Sequence, residues 1–190
     1  MALPTNQFVT YEEFLNIEEN YEGKVEYNNG EIIYMSPTSR RHNKIVRRIA
    51  RHLEDYLKES KCEVYTEQVA VIFETDSKRK EYQPDVFIIC EDAKTKGEKF
   101  ITPPKIIFEV VSRTTDNMIR NDYYIKMNGY AEFGVLEYCL VEQDGKIIQY
   151  KLFDNDGLKY YVHEDTFKIN DSYISTIFTG LTFNLKDIFE

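Results

Sequence analysis

Gln83-Pro84-Asp85-Val86-Phe87-Ile88-Ile89-Cys90 and, after a polar connection, Ile106-Ile107-Phe108-Glu109-Val110-Val111-Ser112 are the two segments on which the reading of this chain turns. Val86 to Cys90 and Ile106 to Val111 are short continuous apolar runs, the pattern of strands buried on both faces. Each carries one acid, Asp85 at the edge of the first and Glu109 inside the second. A carboxylate inside such a strand costs several kcal/mol to desolvate unless a cation or a proton donor meets it. Glu109 therefore demands a partner.

The chain of 190 residues is 42% hydrophobic, enough to bury one sizeable core, and no Gly-, Ser- or Pro-rich stretch marks a linker. One domain over residues 1–190 is expected. No apolar run approaches the roughly 20 residues that span a bilayer, and the start at Met1-Ala2-Leu3-Pro4 lacks a signal-peptide pattern. These features lead us to expect a cytoplasmic protein that does not enter membranes. Cys62, Cys90 and Cys139 lie in apolar or strand-like sequence without metal-ligand spacing and read as buried, inert thiols of a reducing compartment.

A net charge of -9 argues against a protein that coats nucleic acid indiscriminately, but the basic residues are unevenly placed. Arg40, Arg41, Lys44, Arg47, Arg48 and Arg51 fall within twelve residues that hold no acid, leaving 18 basic against 33 acidic residues elsewhere. A positive strip lies on an acidic body.

Before that strip, Thr10-Tyr11-Glu12-Glu13 fits a capping box, and Tyr11, Phe14 and Leu15 give the apolar side of a short helix ending before Gly23. Lys24 to Asn28 and Glu31 to Met35 flank Asn29-Gly30, the dipeptide that best supports a two-residue hairpin turn, and Glu26 sits in the first of these strands. After Ser36-Pro37 comes a long amphipathic helix with Ile45, Ile49, Leu53 and Leu57 on one side. Arg40, Lys44, Arg47, Arg48 and Arg51 gather opposite them, a stripe that either holds phosphates or is simply a solvated face. His42 and His52 flank the same helix and read as surface residues rather than ligands.

Cys62 to Val64 and Gln68 to Phe73 read as strand, Glu74 to Lys80 as an exposed charged connection, and Glu91 to Lys99 as a polar, mobile one. Thr114 or Thr115 can cap a second long helix through Asn128, in which Ile119, Asp122 or Tyr123, Lys126 and Tyr130 share a side. After Gly134 the chain is β-rich: Val135 to Val141, a turn at Asp144-Gly145, Ile147 to Phe153, a turn at Asn155-Asp156-Gly157, Leu158 to His163, and finally Leu181 to Leu185 before a turn at Ile188-Phe189. The order predicts a mixed α/β or α+β domain with a central sheet flanked by helices.

Pro84-Asp85, 23 residues, then Glu109-Val110-Val111 resembles the PD-(D/E)XK signature of restriction-endonuclease-like nucleases, with Val111 where the lysine should stand. With Glu26 and Gly30-Glu31, Ser36-Pro37 followed by His42, Asp122 with Lys126 and Tyr130, and Gly134-Val135-Leu136-Glu137-Tyr138, the ordered set is similar to the Uma-two family of restriction-endonuclease-like proteins, over roughly Tyr11 to Val141. The resemblance implies a restriction-endonuclease-like central mixed sheet flanked by helices, with an extra β-rich C-terminal part. It also implies that the lysine role has moved to the helix after the Glu109 strand, which maps to Lys126.

On that resemblance the expected function is a Mg²⁺-dependent endonuclease that hydrolyses DNA phosphodiester bonds, Mn²⁺ substituting for Mg²⁺, with no small-molecule cofactor. Such chemistry needs a hard cation held by a few oxygens with positions left open, which Asp85, Glu109 and the backbone carbonyl of Val110 would supply. Glu26 would bind the metal or orient a water, and Lys126 would stabilise the developing phosphorane charge or help deprotonate the water. Asp85, Glu109, Glu26 and Lys126 are thus the expected catalytic set, and Arg40, Lys44, Arg47, Arg48 and Arg51 the expected nucleic-acid contacts. A homodimer is expected, since cutting two strands suits two sites and the β-rich segment offers edges to pair. Bland readings stand beside these: Asp85 as a strand-end cap, Glu109 and Lys126 as a buried ion pair, Lys126 paired with Asp122, Glu26 as an exposed strand residue. The competing functional reading is a non-catalytic nucleic-acid or protein-binding module that keeps the nuclease scaffold.

Overall fold

The computed structural model describes residues 8–111 and 121–190, the side chains of 121–123 excepted. Ser112, Thr114, Thr115 and Ile119, and the side chains of Asp122 and Tyr123, thus lie outside the described residues.

Helix α1 (Tyr11–Asn20) begins at the expected capping box, in which Thr10 Oγ1 accepts from the Glu13 N–H and the Glu13 carboxylate accepts from the Thr10 N–H at 2.8 Å. Strands β1 (Val25–Asn28) and β2 (Glu31–Tyr34) follow as an antiparallel hairpin. Asn29 and Gly30 turn it with φ of 48° and 98°, the left-handed pair that a two-residue turn needs and that Asn-Gly tolerates best. Helix α2 (Arg40–Leu57) is capped by Ser39 and buries Ile45, Val46, Ile49, Ala50, Leu53 and Leu57.

Strands β3 (Cys62–Thr66), β4 (Val71–Glu74), β5 (Arg79–Tyr82), β6 (Val86–Cys90), β7 (Thr95–Lys96), β8 (Lys99–Phe100) and β9 (Ile106–Val111) come next. A π-helical turn at Asn121–Lys126 runs into α3 (Met127–Phe133), then β10 (Glu137–Glu142), β11 (Lys146–Asn155), β12 (Leu158–Lys168), β13 (Ser172–Ile174), β14 (Thr182–Asn184) and α4 (Leu185–Phe189). They build two six-stranded sheets, ordered β2-β1-β5-β4-β8-β7 and β12-β11-β10-β9-β6-β3, and a β13-β14 pair. The second sheet is mixed, with β9 and β10 parallel and β6 and β9 antiparallel neighbours, Val86 facing Phe108 and Ile88 facing Ile106.

This sheet explains the two apolar runs. Alternate residues Val86, Ile88, Ile106, Phe108 and Val110 pack against α2 and the C-terminal Phe183, Leu185 and Ile188. Phe87, Ile89, Ile107 and Val111 pack on the other side against Val71, Phe73 and Tyr82 of the first sheet and Tyr130 of α3. Both faces are covered, so neither run alternates with polar residues, and each fully buried side chain contributes roughly 1.5–3 kcal/mol. Glu109 falls on the second face, between the sheets. Glu137, buried in β10, is met by the Gln149 side-chain amide at 3.0 Å, the Thr176 N–H at 2.8 Å and the Tyr173 hydroxyl.

Three expectations are corrected. The charged connection Glu74 to Lys80 contains the start of β5, where Lys80 and Glu81 are buried because each meets opposite charge: Lys80 with Glu132 at 3.0 Å, Glu81 with Lys99 at 2.5 Å and the Tyr11 hydroxyl at 2.6 Å. The connection Glu91 to Lys99 holds the short β7 and joins it to β8. Cys62 and Cys90 are not free thiols: they face one another across β3 and β6 and form a disulfide, while Cys139 stays a buried thiol. Among the described residues, no helix is long and apolar enough to cross a membrane.

Candidate active site

Glu109 finds its partners from α3 and the helical turn before it. Lys126 Nζ is 3.3 Å from Glu109 Oε1, and the Tyr130 hydroxyl donates to the same oxygen at 2.6 Å. Lys126 and Tyr130 are four residues apart and so share a helix side, as their spacing required. The ammonium also meets Glu26 Oε1 at 3.0 Å, reaching β1 in the other sheet, and lies 5.8 Å from the centre of the Tyr82 ring. Glu26, Glu109 and Lys126 are 0%, 3% and 1% exposed. Burial pushes the Tyr130 hydroxyl well above its ordinary pKa, and the charges of Glu109 and Glu26 add to this, so it stays a donor.

Glu26 Oε1 accepts a second hydrogen bond from the Gln83 N–H at 2.9 Å, one residue before Pro84-Asp85, while Lys24 stands 3.9 Å away. Glu26 Oε2 is buried without a hydrogen-bond partner among the described residues. Glu26 is therefore no exposed strand residue.

Asp85 uses its two oxygens in two directions. Oδ2 accepts from the Val110 N–H at 2.7 Å, which ties the mouth of β6 to the residue after Glu109. Oδ1 lies 3.3 Å from His42 Nε2, which is also 3.1 Å from Glu67 Oε1. Burial raises the Asp85 carboxyl, but the hydrogen bond and charge of His42, helped by Lys24 and Lys126, outweigh it and hold the group below its usual range. Burial works against charge on His42 too, and is outweighed by Asp85, Glu67 and Glu109, which raise it. His42 is 3% exposed, not the surface residue its helix position suggested. Glu67 follows β3 with φ of 25°, and the Gln68 N–H reaches the Thr66 carbonyl at 2.5 Å, closing a three-residue turn around it. A residue other than glycine pays on the order of 1–3 kcal/mol for such a conformation, which at this position carries the Glu67 carboxylate to His42.

Asp85, Glu109, Val110, Glu26 and Lys126, singled out in sequence, are thus brought together where the sheets meet. His52 is not: it stacks on Phe183 with ring centres 5.5 Å apart. The basic stripe is divided. Arg47, Arg48 and Arg51 line a cleft of about 660 Å³ with Asn43, Thr66 and Glu67. Arg40, Arg41 and Lys44 line another with Ile188 and Phe189. Lys44 Nζ donates to the Glu190 carbonyl at 3.0 Å, Arg48 to Ile188 at 3.1 Å, and Arg41 to Gln143 at 2.7 Å. Part of the stripe therefore fastens the C-terminus. Glu67 gave no signal in the sequence, since a lone acid after a strand is ordinary.

The donor set fits a hard divalent cation: Asp85 and Glu109 offer carboxylates from the entry to β6 and from β9, the Val110 backbone a carbonyl, and one buried Glu26 oxygen has no hydrogen-bond partner among the described residues.

Two proteins of Synechocystis sp. (strain ATCC 27184 / PCC 6803 / Kazusa) are similar in sequence. "Uncharacterized protein sll1609" is 29% identical over 147 residues, 75% of this chain and 80% of that protein. "Uncharacterized protein slr1290" is 29% identical over 182 residues, 90% of this chain and 92% of that protein. Among solved structures, a "putative nuclease belonging to DUF820 from Anabaena variabilis ATCC 29413" superposes with a TM-score of 0.69 at 16% identity, covering 95% of this chain and 97% of that one, and so shares the fold. The family profile of Uma2, "Putative restriction endonuclease", matches residues 11–185, and the chain belongs to that family.

Proposed function

We propose that this protein is a Mg²⁺-dependent endonuclease hydrolysing DNA phosphodiester bonds, with Asp85, Glu109 and the Val110 carbonyl holding the ion. The observation that carries the reading is the Lys126 ammonium set between Glu109 and Glu26, with Asp85 tied to Val110 alongside. A buried ion pair is weak evidence for stability, because two well-packed apolar residues serve as well; a positioned ammonium between one acid from each of the two sheets is better explained by chemistry.

When bound, the cation neutralises phosphate charge and lowers the pKa of a coordinated water. The Lys126 side chain, held between Glu109 and Glu26, offsets charge that develops on the phosphate oxygens. Glu26 and Tyr130 position it and Glu109: Glu26 anchors the ammonium from β1, and Tyr130 fixes the Glu109 carboxylate through Oε1. Arg47, Arg48 and Arg51 line a cleft that reaches Glu67 and would guide the DNA backbone toward Asp85. Two copies would be needed to cut both strands, and β12, at the edge of its sheet with Leu158, Tyr160 and Val162 exposed, is where a second copy would pair.

Calorimetric titration of Mg²⁺ into the wild type, Asp85→Ala and Glu109→Gln, paired with a plasmid-nicking assay, tests this. Binding and nicking by the wild type, lost in both variants, is expected. DNA binding without Mg²⁺ uptake or nicking would instead establish the non-catalytic module, the reading that Val111 in the lysine position favours.

A further inference from the structure

We infer that His42, Glu67 and Asp85 form a second divalent-cation position, sharing Asp85 with the Asp85–Glu109 position, and that its imidazole makes it select Mn²⁺ over Mg²⁺. The inference rests on the proposed nuclease reading only in the role given to Asp85. The three donors come from separate elements: α2, the turn after β3 and the entry to β6. One ligand atom from each lies within 4.8 Å of the others. His42 Nε2 is 3.1 Å from Glu67 Oε1 and 3.3 Å from Asp85 Oδ1. Donors that each sit about 2.1 Å from one ion, at the angles of a tetrahedron or octahedron, are separated by roughly 3.0–3.4 Å. Both spacings from His42 Nε2 match that requirement, and the remaining pair, Glu67 and Asp85, lies within 4.8 Å.

Hydrogen bonding alone satisfies the cluster poorly. Nε2 carries at most one hydrogen and faces two carboxylate oxygens, so one of the two goes without a hydrogen bond from it. Charge points the same way. Glu26, Glu67, Asp85 and Glu109 bring four carboxylates to the site; Lys126 lies between Glu26 and Glu109, and Lys24 stands 3.9 Å from Glu26. Even with His42 counted as a cation, four carboxylates face three positive groups, an excess of negative charge that a dication would offset. Access is open, because Glu67 is 24% exposed and lines the cleft of Arg47 and Arg51.

The donor chemistry decides the ion. Oxygen-only positions suit Mg²⁺, whereas an imidazole nitrogen beside two carboxylates favours d-block dications, Mn²⁺ being the one closest to Mg²⁺ in size and geometry.

The test loads the full chain with one equivalent of Mn²⁺ and records pulsed EPR. A ¹⁴N coupling from a bound imidazole is expected in the wild type and absent in His42→Gln. Calorimetry on Glu67→Gln, whose partly exposed side chain can change without loss of fold, should give Mn²⁺ affinity weakened at least tenfold with Mg²⁺ affinity within about twofold of wild type. No nitrogen coupling in the wild type, or equal effects of Glu67→Gln on both ions, overturns the proposal. Glu109→Gln separates the two readings. If it abolishes Mg²⁺ binding while wild-type Mn²⁺ shows no nitrogen coupling, the Asp85–Glu109 site stands and this one falls. If the wild type takes up neither ion, both fall.

Discussion

Lys126 Nζ stands 3.3 Å from Glu109 Oε1, so the cation beside this buried acid arrives from a helical turn 17 residues along the chain. Removing it leaves Glu26 and Glu109 buried with their shared cation gone. Lys126→Met should therefore cost about 3–5 kcal/mol in metal-free protein, and saturating Mg²⁺ should recover much of that loss because it replaces the missing positive charge. Nicking should nonetheless fall by about 10²–10³-fold with Mg²⁺ present, as when one electrostatic donor is removed. Thermal denaturation with and without Mg²⁺, beside nicking rates, checks all three.

Glu26 separates anchoring from ligation. Its Oε1 accepts from Lys126 and from the Gln83 N–H, so Glu26→Gln should weaken nicking by misplacing Lys126 while leaving Mg²⁺ affinity within about twofold of wild type. A loss of Mg²⁺ affinity as large as that of Glu109→Gln would make Glu26 a ligand instead.

Much of this arrangement could be read before any coordinates. The runs at Val86 and Ile106, the Asn29-Gly30 turn and the four-residue spacing of Ile45, Ile49, Leu53 and Leu57 are local signals, and each names its element. That Glu109 needs a cation or a proton donor followed from desolvation alone, and the structure gives it both. What escaped depends on register and tertiary pairing. Nothing local says that Cys62 will face Cys90, that Lys80 and Glu81 will be buried by partners at Glu132 and Lys99, or that a turn will carry Glu67 to His42. A histidine in the first turn of a basic helix looks solvated until the strand it leans on is known.

Glu132 clamps α3 to the first sheet, accepting from Lys78 at 2.5 Å and from the buried Lys80 at 3.0 Å. Burial raises its carboxyl, but the two lysines outweigh this and hold it below the ordinary glutamate value of 4.5. A depressed folded value means that the contribution is complete above about pH 4.5 and disappears as pH falls through the folded value. Glu132→Gln should thus be less stable by about 1–3 kcal/mol at neutral pH, since the buried Lys80 side chain loses its carboxylate partner. The gap between the two melting temperatures should close as pH drops below 4.5. A constant gap across that range would mean the clamp is not electrostatic.

The disulfide closes a loop of 28 residues between the edge strand β3 and β6. Loop-closure entropy puts its contribution at roughly 3–4 kcal/mol. Reduction should lower the unfolding free energy by about that much, seen as a lower melting temperature, and Cys62→Ser with Cys90→Ser should match the reduced wild type. In the native, unreduced protein a maleimide should label none of the three cysteines, because two are bonded and Cys139 is buried. Labelling before reduction would contradict the pairing.

The division of the basic stripe predicts two distinct phenotypes on one helix. Arg47 and Arg51 are exposed on the cleft that reaches Glu67, whereas Lys44 and Arg41 donate to carbonyls of Glu190 and Gln143. If DNA lies in the cleft, each phosphate that the protein no longer neutralises changes the slope of log affinity against log salt by about 0.9. Arg47→Glu with Arg51→Glu should flatten that slope by about two and weaken binding strongly at low salt. Arg41→Gln with Lys44→Gln should lower thermal stability by about 1 kcal/mol, because the two carbonyls no longer receive their hydrogen bonds, and leave the slope nearly unchanged. Filter binding across a salt series, with melting curves for each variant, distinguishes the two. Equal slopes in all three proteins would mean that DNA does not follow this face, and the path to Asp85 would have to run elsewhere.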